Sequence, residues 1–207
     1  MKISLPKIYP ITDRRLSGLS HAEQTRAFID GGATLIQLRE KSTDMRAFYD
    51  DVVDALHLAR EHGVRLLIND RVDIAMLTGA EGVHLGQDDL PPAEARKLLG
   101  PDAIIGFSTH TIEQVNAAMN EPIDYVAFGP IFSTATKADP DPVVGLELLQ
   151  DAKRIAGEMP VVAIGGIDAA NVASVLTAGA DSAAMISELY RAGDIAPHYR
   201  ELSDLVG

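Results

Sequence analysis

Eight short apolar runs rich in β-branched residues recur along the chain, at residues 8–12, 34–38, 65–68, 82–85, 104–107, 125–128, 161–164 and 182–185. Each gives way to a longer stretch with helical periodicity. Phe48, Val52, Val53, Leu56 and Leu58, or Val172, Val175 and Leu176, show the i, i+3, i+4 spacing of a helix with one buried stripe. Several helical stretches end in glycine before the next run, as in Asp30-Gly31-Gly32-Ala33-Thr34, Thr78-Gly79-Ala80-Glu81-Gly82 and Ala178-Gly179-Ala180-Asp181; glycine supplies the left-handed residue that closes a helix. A strand that returns through a crossover helix pairs in parallel, and strands apolar on both faces are buried on both. Eight such units predict an α/β protein, a single (β/α)8 TIM barrel over residues 1–207. An open doubly wound sheet would show five or six strands and a glycine-rich turn after the first. Here Thr12-Asp13-Arg14-Arg15 follows the first run, so strand count and loop chemistry favour the barrel.

Composition agrees with one sizeable core: 207 residues, 46% of them hydrophobic. A net charge of −12 opposes a surface built for nucleic acid or an anionic membrane, since either needs clustered cations. The chain has no cysteine, which removes disulfides, thiolate metal sites and cysteine nucleophiles. Met1 to Lys7 pass into polar residues before any apolar stretch long enough for a signal peptide or membrane span. The expectation is a soluble cytoplasmic protein acting on small molecules.

In such a barrel the functional groups stand on the loops after the strands. The second run leads into Gln37-Leu38-Arg39-Glu40-Lys41, whose two-residue period sends Gln37, Arg39 and Lys41 to one side if the chain stays extended. The alternative is a solvated strand end with a Glu40 ion pair. The third run ends in Asn69-Asp70 and the fourth in Gly86-Gln87-Asp88-Asp89. Carboxylates on neighbouring loops suit Mg2+, which takes one or two of them with water and phosphate oxygens; Asp70 and Asp89 each precede a helix and either alone could as well cap it, but two of them beside a cationic strand end favour the metal. After the fifth run, the hydroxyls of Ser108-Thr109-His110-Thr111 either orient a polar heterocycle or cap the helix that begins near Ile112. His84 stands alone on an apolar strand and no His-x-x-x-His spacing occurs, so neither His84 nor His110 receives a catalytic role.

The longest loop, residues 129–137 with the Asp139-Pro140-Asp141-Pro142 stretch beyond it, brings hydroxyls and Lys137. It reads as a binding lid in preference to an exposed linker. Gly165-Gly166-Ile167 and Ile186-Ser187-Glu188-Leu189 end the last two runs, where this fold often holds a phosphate. Two anionic subsites result. Arg39, Lys41, Asn69, Lys137 and a metal suit a highly charged group, and neutral donors suit a single phosphate.

Taken in order, Gln37-Leu38-Arg39-Glu40-Lys41, Asn69-Asp70, Gly86-Gln87-Asp88-Asp89, Ser108-Thr109-His110-Thr111, Gly129-Pro130-Ile131-Phe132 with Thr134-Ala135-Thr136-Lys137, Gly165-Gly166-Ile167 and Met185-Ile186-Ser187 resemble the thiamine phosphate synthase family. The resemblance spans nearly the whole chain. It implies that Gln37, Leu38, Arg39, Glu40, Lys41, Asn69, Ser108 and Lys137 hold hydroxymethylpyrimidine diphosphate. Asp70 and Asp89 would bind Mg2+, and Thr134, Thr136, Gly166, Ile186 and Ser187 a thiazole phosphate or its carboxylated form. Arg39, Lys41, Ser108 and Lys137 would carry the catalysis. The implied reaction is dissociative: diphosphate leaves the pyrimidine methylene, the aminopyrimidine stabilises the carbocation, and the thiazole nitrogen captures it, with no protein nucleophile. A homodimer is also implied by the resemblance. Ser133 departs from the proline that many members carry before the Thr-x-Thr-Lys run.

Three other functions fit the pattern less well. The related thiazole tautomerase typically lacks the paired aspartates and carries histidine at the place of Pro130, so Asp70, Asp89 and Pro130 favour the synthase. A non-catalytic phosphate-ligand sensor would not need Lys137 and a metal at a scissile bond. An epimerase or isomerase would need an opposed general acid and base, and no such pair is visible in the sequence.

Overall fold

The computed structural model describes residues 3–41, 44–134 and 141–207. Among these, eight parallel strands alternate with helices: β1 (Ile8–Pro10), β2 (Leu35–Leu38), β3 (Arg65–Asn69), β4 (Gly82–Leu85), β5 (Ile104–Thr109), β6 (Tyr125–Phe128), β7 (Val161–Ile164) and β8 (Ser182–Met185). The helices are α1 (Arg14–Ser17), α2 (His21–Asp30), α3 (Met45–Glu61), α4 (Val72–Thr78), α5 (Pro92–Leu99), α6 (Ile112–Ala118), α7 (Gly145–Ala156), α8 (Val172–Thr177) and α9 (Ile195–Asp204), with a 3-10 turn at Ser187–Tyr190. Strand order is β1-β8-β7-β6-β5-β4-β3-β2. The two ends of that row meet where Ile11 bridges Gln37 and the Thr12 N–H donates to the Gln37 carbonyl at 2.9 Å, which wraps the sheet into the expected barrel.

Each of the eight apolar runs is a strand. The limits differ where local chemistry intervenes. Pro10 has no N–H to give the ladder but stays in register with Met185 of β8, and one residue on Ile11 donates to the Met185 carbonyl and bridges Gln37 of β2. β5 runs past Phe107 because Ser108 and Thr109 go on pairing with Ala127 and Phe128.

Strand alternation divides the core in two. Tyr9, Ile11, Leu35, Leu67, Tyr125, Ala127, Val162 and Ala184 fill the barrel interior as one cluster. Their strand neighbours, among them Ile8, Ile36, Leu38, Leu66, Ile68, Val83, Ile105, Val126 and Phe128, pack outward against the helices. Each such large side chain contributes about 1.5–3 kcal/mol on burial. The last helix ties back to the first strand: Tyr199 is buried on α9, packs edge-on against Phe28 of α2, and donates to the Ile8 carbonyl at 3.0 Å. No helix among the described residues is long and apolar enough to cross a membrane.

Candidate active site

The same alternation fixes what faces upward at the strand ends. On β2 the inward phase of Leu35 continues through Gln37, Arg39 and Lys41; on β3 that of Leu67 continues through Asn69; on β4 and β5 it brings His84 and Ser108 inward. All line one cleft of about 660 Å³ at the C-terminal ends of the strands, together with Asp70, Asp89, Thr134, Gly165, Gly166, Ile186 and Ser187. That size suits a small-molecule site. The β2–β5 side carries most of the charge; the β6–β8 side is mainly glycine, hydroxyl and apolar, with the Asp141 carboxylate at its edge near His110.

Leu38 and Glu40, in the opposite phase of β2, do not reach the cleft. Leu38 is fully buried against the helices, and the Glu40 carboxylate lies 3.4 Å from His21 Nε2 and 3.6 Å from Arg14. With both side chains turned away, any contact these two make with a ligand in the cleft falls to their backbone. Thr136 and Lys137 lie outside the described residues.

Both described cations of the charged wall are already held by carboxylates. Arg39 Nη1 donates to Asp13 Oδ2 at 3.1 Å, and its backbone N–H donates to Thr12 Oγ1 at 3.1 Å. Asp13 is itself buried and caps α1 by accepting from the Arg15 and Leu16 N–H groups. Lys41 Nζ donates to Asp70 Oδ2 at 2.6 Å.

Helix capping, the alternative use of Asp70 and Asp89, is not made. The N-caps of α4 and α5 are Arg71 and Pro91, and neither helix has a side-chain cap bond. Asp89 Oδ2 instead accepts from the Gly86 N–H at 2.7 Å. Burial pushes the Asp89 carboxyl above its usual range; the Gly86 N–H pulls it down, and the Asp70 carboxylate beside it pushes it up again. Asp70 holds a left-handed backbone, φ 62, a conformation aspartate tolerates better than most residues. Two adjacent hard-oxygen donors fit Mg2+, which needs few protein ligands. No group of three or more His, Cys, Asp or Glu placed to hold a metal occurs among the described residues, so an all-protein cage is not what the site offers. Asn69 adds a second pointer to a ligand: its side-chain Nδ2 is buried in the cleft wall without a hydrogen-bond partner among the described residues, a costly state unless something accepts from it.

At the fifth strand end the roles divide. Thr111 caps α6 by accepting from the Gln114 N–H, and Thr109 donates to the Ala127 carbonyl. Ser108 is left for the cleft, its Oγ 2.8 Å from His84 Nε2. On the less charged wall, Gly165 and Gly166 have φ of 99 and 65. A Cβ at Gly166 would lie 2.5 Å from the Ser133 carbonyl oxygen, so the pair is needed both for its turn and for the close approach of residues 130–133.

Several cleft residues escaped the sequence reading. His84 is buried, with Nδ1 2.8 Å from Tyr125 Oη; burial lowers its imidazole pKa to about 4 against a weaker opposing effect of Asp70, which keeps it neutral. Its inward phase on β4 was the available signal. His110 Nδ1 donates to the Gly129 carbonyl at 2.6 Å and its Nε2 lies 3.5 Å from Asp141, joining β5 to both described sides of the long loop. Gln87 donates to the Ser108 carbonyl at 2.6 Å.

The family model described as thiamine monophosphate synthase matches residues 8–189. A thiamine-phosphate synthase of Caldicellulosiruptor saccharolyticus is 40% identical over 200 residues, covering 96% of this chain and 90% of its own. One from Syntrophomonas wolfei is 44% identical over 199 residues, covering 96% and 95%. The solved thiamine phosphate pyrophosphorylase of Pyrococcus furiosus superposes with a TM-score of 0.85 at 36% identity, covering 97% of each chain.

Proposed function

The chain belongs to the thiamine monophosphate synthase family, and from that premise we propose how its one cleft divides the work between two phosphorylated substrates. The activity is that of a transferase of thiamine biosynthesis, joining a pyrimidine diphosphate to a thiazole phosphate to give thiamine phosphate and diphosphate. The observation that carries the division is the asymmetry of the cleft. Arg39, Lys41, Asn69, Asp70 and Asp89 stand on one side of it, and Thr134, Gly165, Gly166, Ile186 and Ser187 on the other.

The charged wall takes the pyrimidine diphosphate. Arg39, set by Asp13 and Thr12, and Lys41 bind its anionic oxygens; Asn69 supplies its unused Nδ2–H; Gln37 contacts the pyrimidine ring, and Ser108 the oxygen that joins the pyrimidine methylene to the diphosphate. Lys137, outside the described residues, joins this set by family resemblance. Asp70 and Asp89 hold Mg2+, which when bound supplies Lewis-acid neutralisation of the diphosphate. Lys41 then has to exchange its Asp70 partner for a diphosphate oxygen. The less charged wall takes the single phosphate of the thiazole, with Thr134, Gly166, Ile186 and Ser187 around it; Thr136, outside the described residues, joins them by family resemblance.

The chemistry asked of the side chains is electrostatic and positional. The methylene C–O bond breaks and its electron pair leaves with the diphosphate; the aminopyrimidine carries the positive charge; the thiazole nitrogen lone pair forms the new C–N bond. No side chain makes a covalent bond.

Binding calorimetry tests the division. The pyrimidine diphosphate binds with Mg2+ and weakens by about tenfold or more in Asp70→Asn, while thiazole phosphate binding is untouched. Gly166→Ala does the reverse. Equal loss of both ligands in either variant contradicts the assignment.

A further inference from the structure

Below the cleft, five polar side chains form one line through the barrel interior. Gln37 Nε2 donates to Tyr9 Oη at 3.1 Å; Tyr9 and Tyr125 Oη are 3.3 Å apart; Tyr125 Oη is 2.8 Å from His84 Nδ1; and His84 Nε2 is 2.8 Å from Ser108 Oγ. The three inner members are buried. Tyr9 meets Tyr125 edge-on, and the Tyr125 and His84 rings stack at 5.5 Å. The chain omits a side chain to let the line pass: a Cβ at Gly106 would lie 2.1 Å from Tyr125 Cζ and 2.6 Å from His84 Nδ1. Isolated core polar groups are costly, so a satisfied line that ends at two cleft residues calls for a reason beyond packing.

Counting protons gives the line a direction. Each hydroxyl has one proton to give, and a neutral imidazole has one N–H and one lone pair. The Gln37 amide donates to Tyr9, so Tyr9 donates to Tyr125, and Tyr125 donates to His84 Nδ1. The imidazole proton must then be on Nε2, donated to Ser108 Oγ. The Ser108 proton has no taker within the line and is free for the cleft. The opposite order would turn the Gln37 oxygen to Tyr9, put the imidazole proton on Nδ1, and leave Ser108 facing the cleft with lone pairs.

We propose that Tyr9, Tyr125 and His84 are positioning residues that lock the Ser108 hydroxyl as a hydrogen-bond donor to the departing diphosphate oxygen. The proposal rests on the reading that places the pyrimidine diphosphate against Ser108. As the C–O bond breaks, negative charge grows on that oxygen; a hydroxyl fixed as donor gains strength in step with it, and one fixed as acceptor would oppose it. The contribution therefore belongs to kcat more than to KM.

Two measurements test it on the full-length protein. In 15N NMR of ring-labelled histidine, with the His84 signals assigned by their loss in His84→Gln, Nδ1 is unprotonated and Nε2 protonated; protonated Nδ1 overturns the proposal without touching the substrate assignment. In the kinetic arm, Tyr125→Phe lowers kcat by about tenfold with KM nearly unchanged, and causes no further loss in a Ser108→Ala background. Unchanged kcat, a change confined to KM, or additive losses overturn it. Tyr9→Phe serves the same cycle if Tyr125→Phe does not fold. Wild-type kinetics in Ser108→Ala overturn the placement of Ser108 itself, an outcome distinct from a wrong tautomer.

Discussion

Asp89 concentrates the account's demands on a single side chain. Its carboxylate is partly buried, accepts from the Gly86 N–H, and stands beside Asp70; a divalent cation relieves both the desolvation and the like-charge repulsion. Asp89→Ala is expected to raise the Mg2+ concentration needed for half-maximal rate by about tenfold or more, read from a Mg2+ titration of initial rates. His84 gives a pH signature in stability. The unfolded imidazole titrates near 6.5 and the folded one near 4, so between these values the unfolded chain binds the extra proton. Stability from this group is complete above about pH 6.5 and is lost as pH falls toward 4, for a total of about 3 kcal/mol. Denaturant midpoints at about pH 7.5 and 4.5 should show His84→Gln losing roughly 2 to 3 kcal/mol less than the wild type over that interval. At this scale the sequence is legible only where a local rule applies. The two-residue period put Gln37, Arg39 and Lys41 on one side, and they share the cleft. Asp13 received no site role, because its partner Arg39 is 26 positions away, and His84 no catalytic one, its partner Tyr125 being 41 away.

The strands were legible as elements because burial on both faces leaves near-continuous apolar runs, and the helices because a one-sided stripe has its own period. What periodicity could not show is which inward positions stay empty. Gly106 on β5 is the clearest case: its partners on the two flanking strands are His84 of β4 and Tyr125 of β6, set by register and not by anything adjacent in the chain. Gly106→Ala is expected to displace that pair and to lower stability by about 3 kcal/mol or more, at the upper end of overpacking penalties, measurable as a shift in the denaturant midpoint. For Asp70 or Asp89 alone, capping was at least as open from sequence as ligation, and only the pair beside a cationic strand end favoured the metal. What sequence could not show is where the two helices begin: their cap residues are Arg71 and Pro91, which removes capping.

At the level of the whole molecule, the barrel gathers residues from all eight strand ends into one cleft, and the net charge of −12 makes the few cations there count. Lys137, assigned to the diphosphate by resemblance, carries a prediction of its own: Lys137→Ala lowers kcat by about tenfold or more while the thermal midpoint stays near that of the wild type, as expected of a residue whose part is in binding and catalysis. The central claim is that this cleft joins its two substrates by losing diphosphate. It is tested most directly by incubating the purified protein with hydroxymethylpyrimidine diphosphate, thiazole phosphate and Mg2+, and following thiamine phosphate and diphosphate together. The account predicts both products in equal amounts, with the rate falling sharply when Mg2+ is chelated. A folded protein that forms neither, or that releases diphosphate without thiamine phosphate, contradicts it.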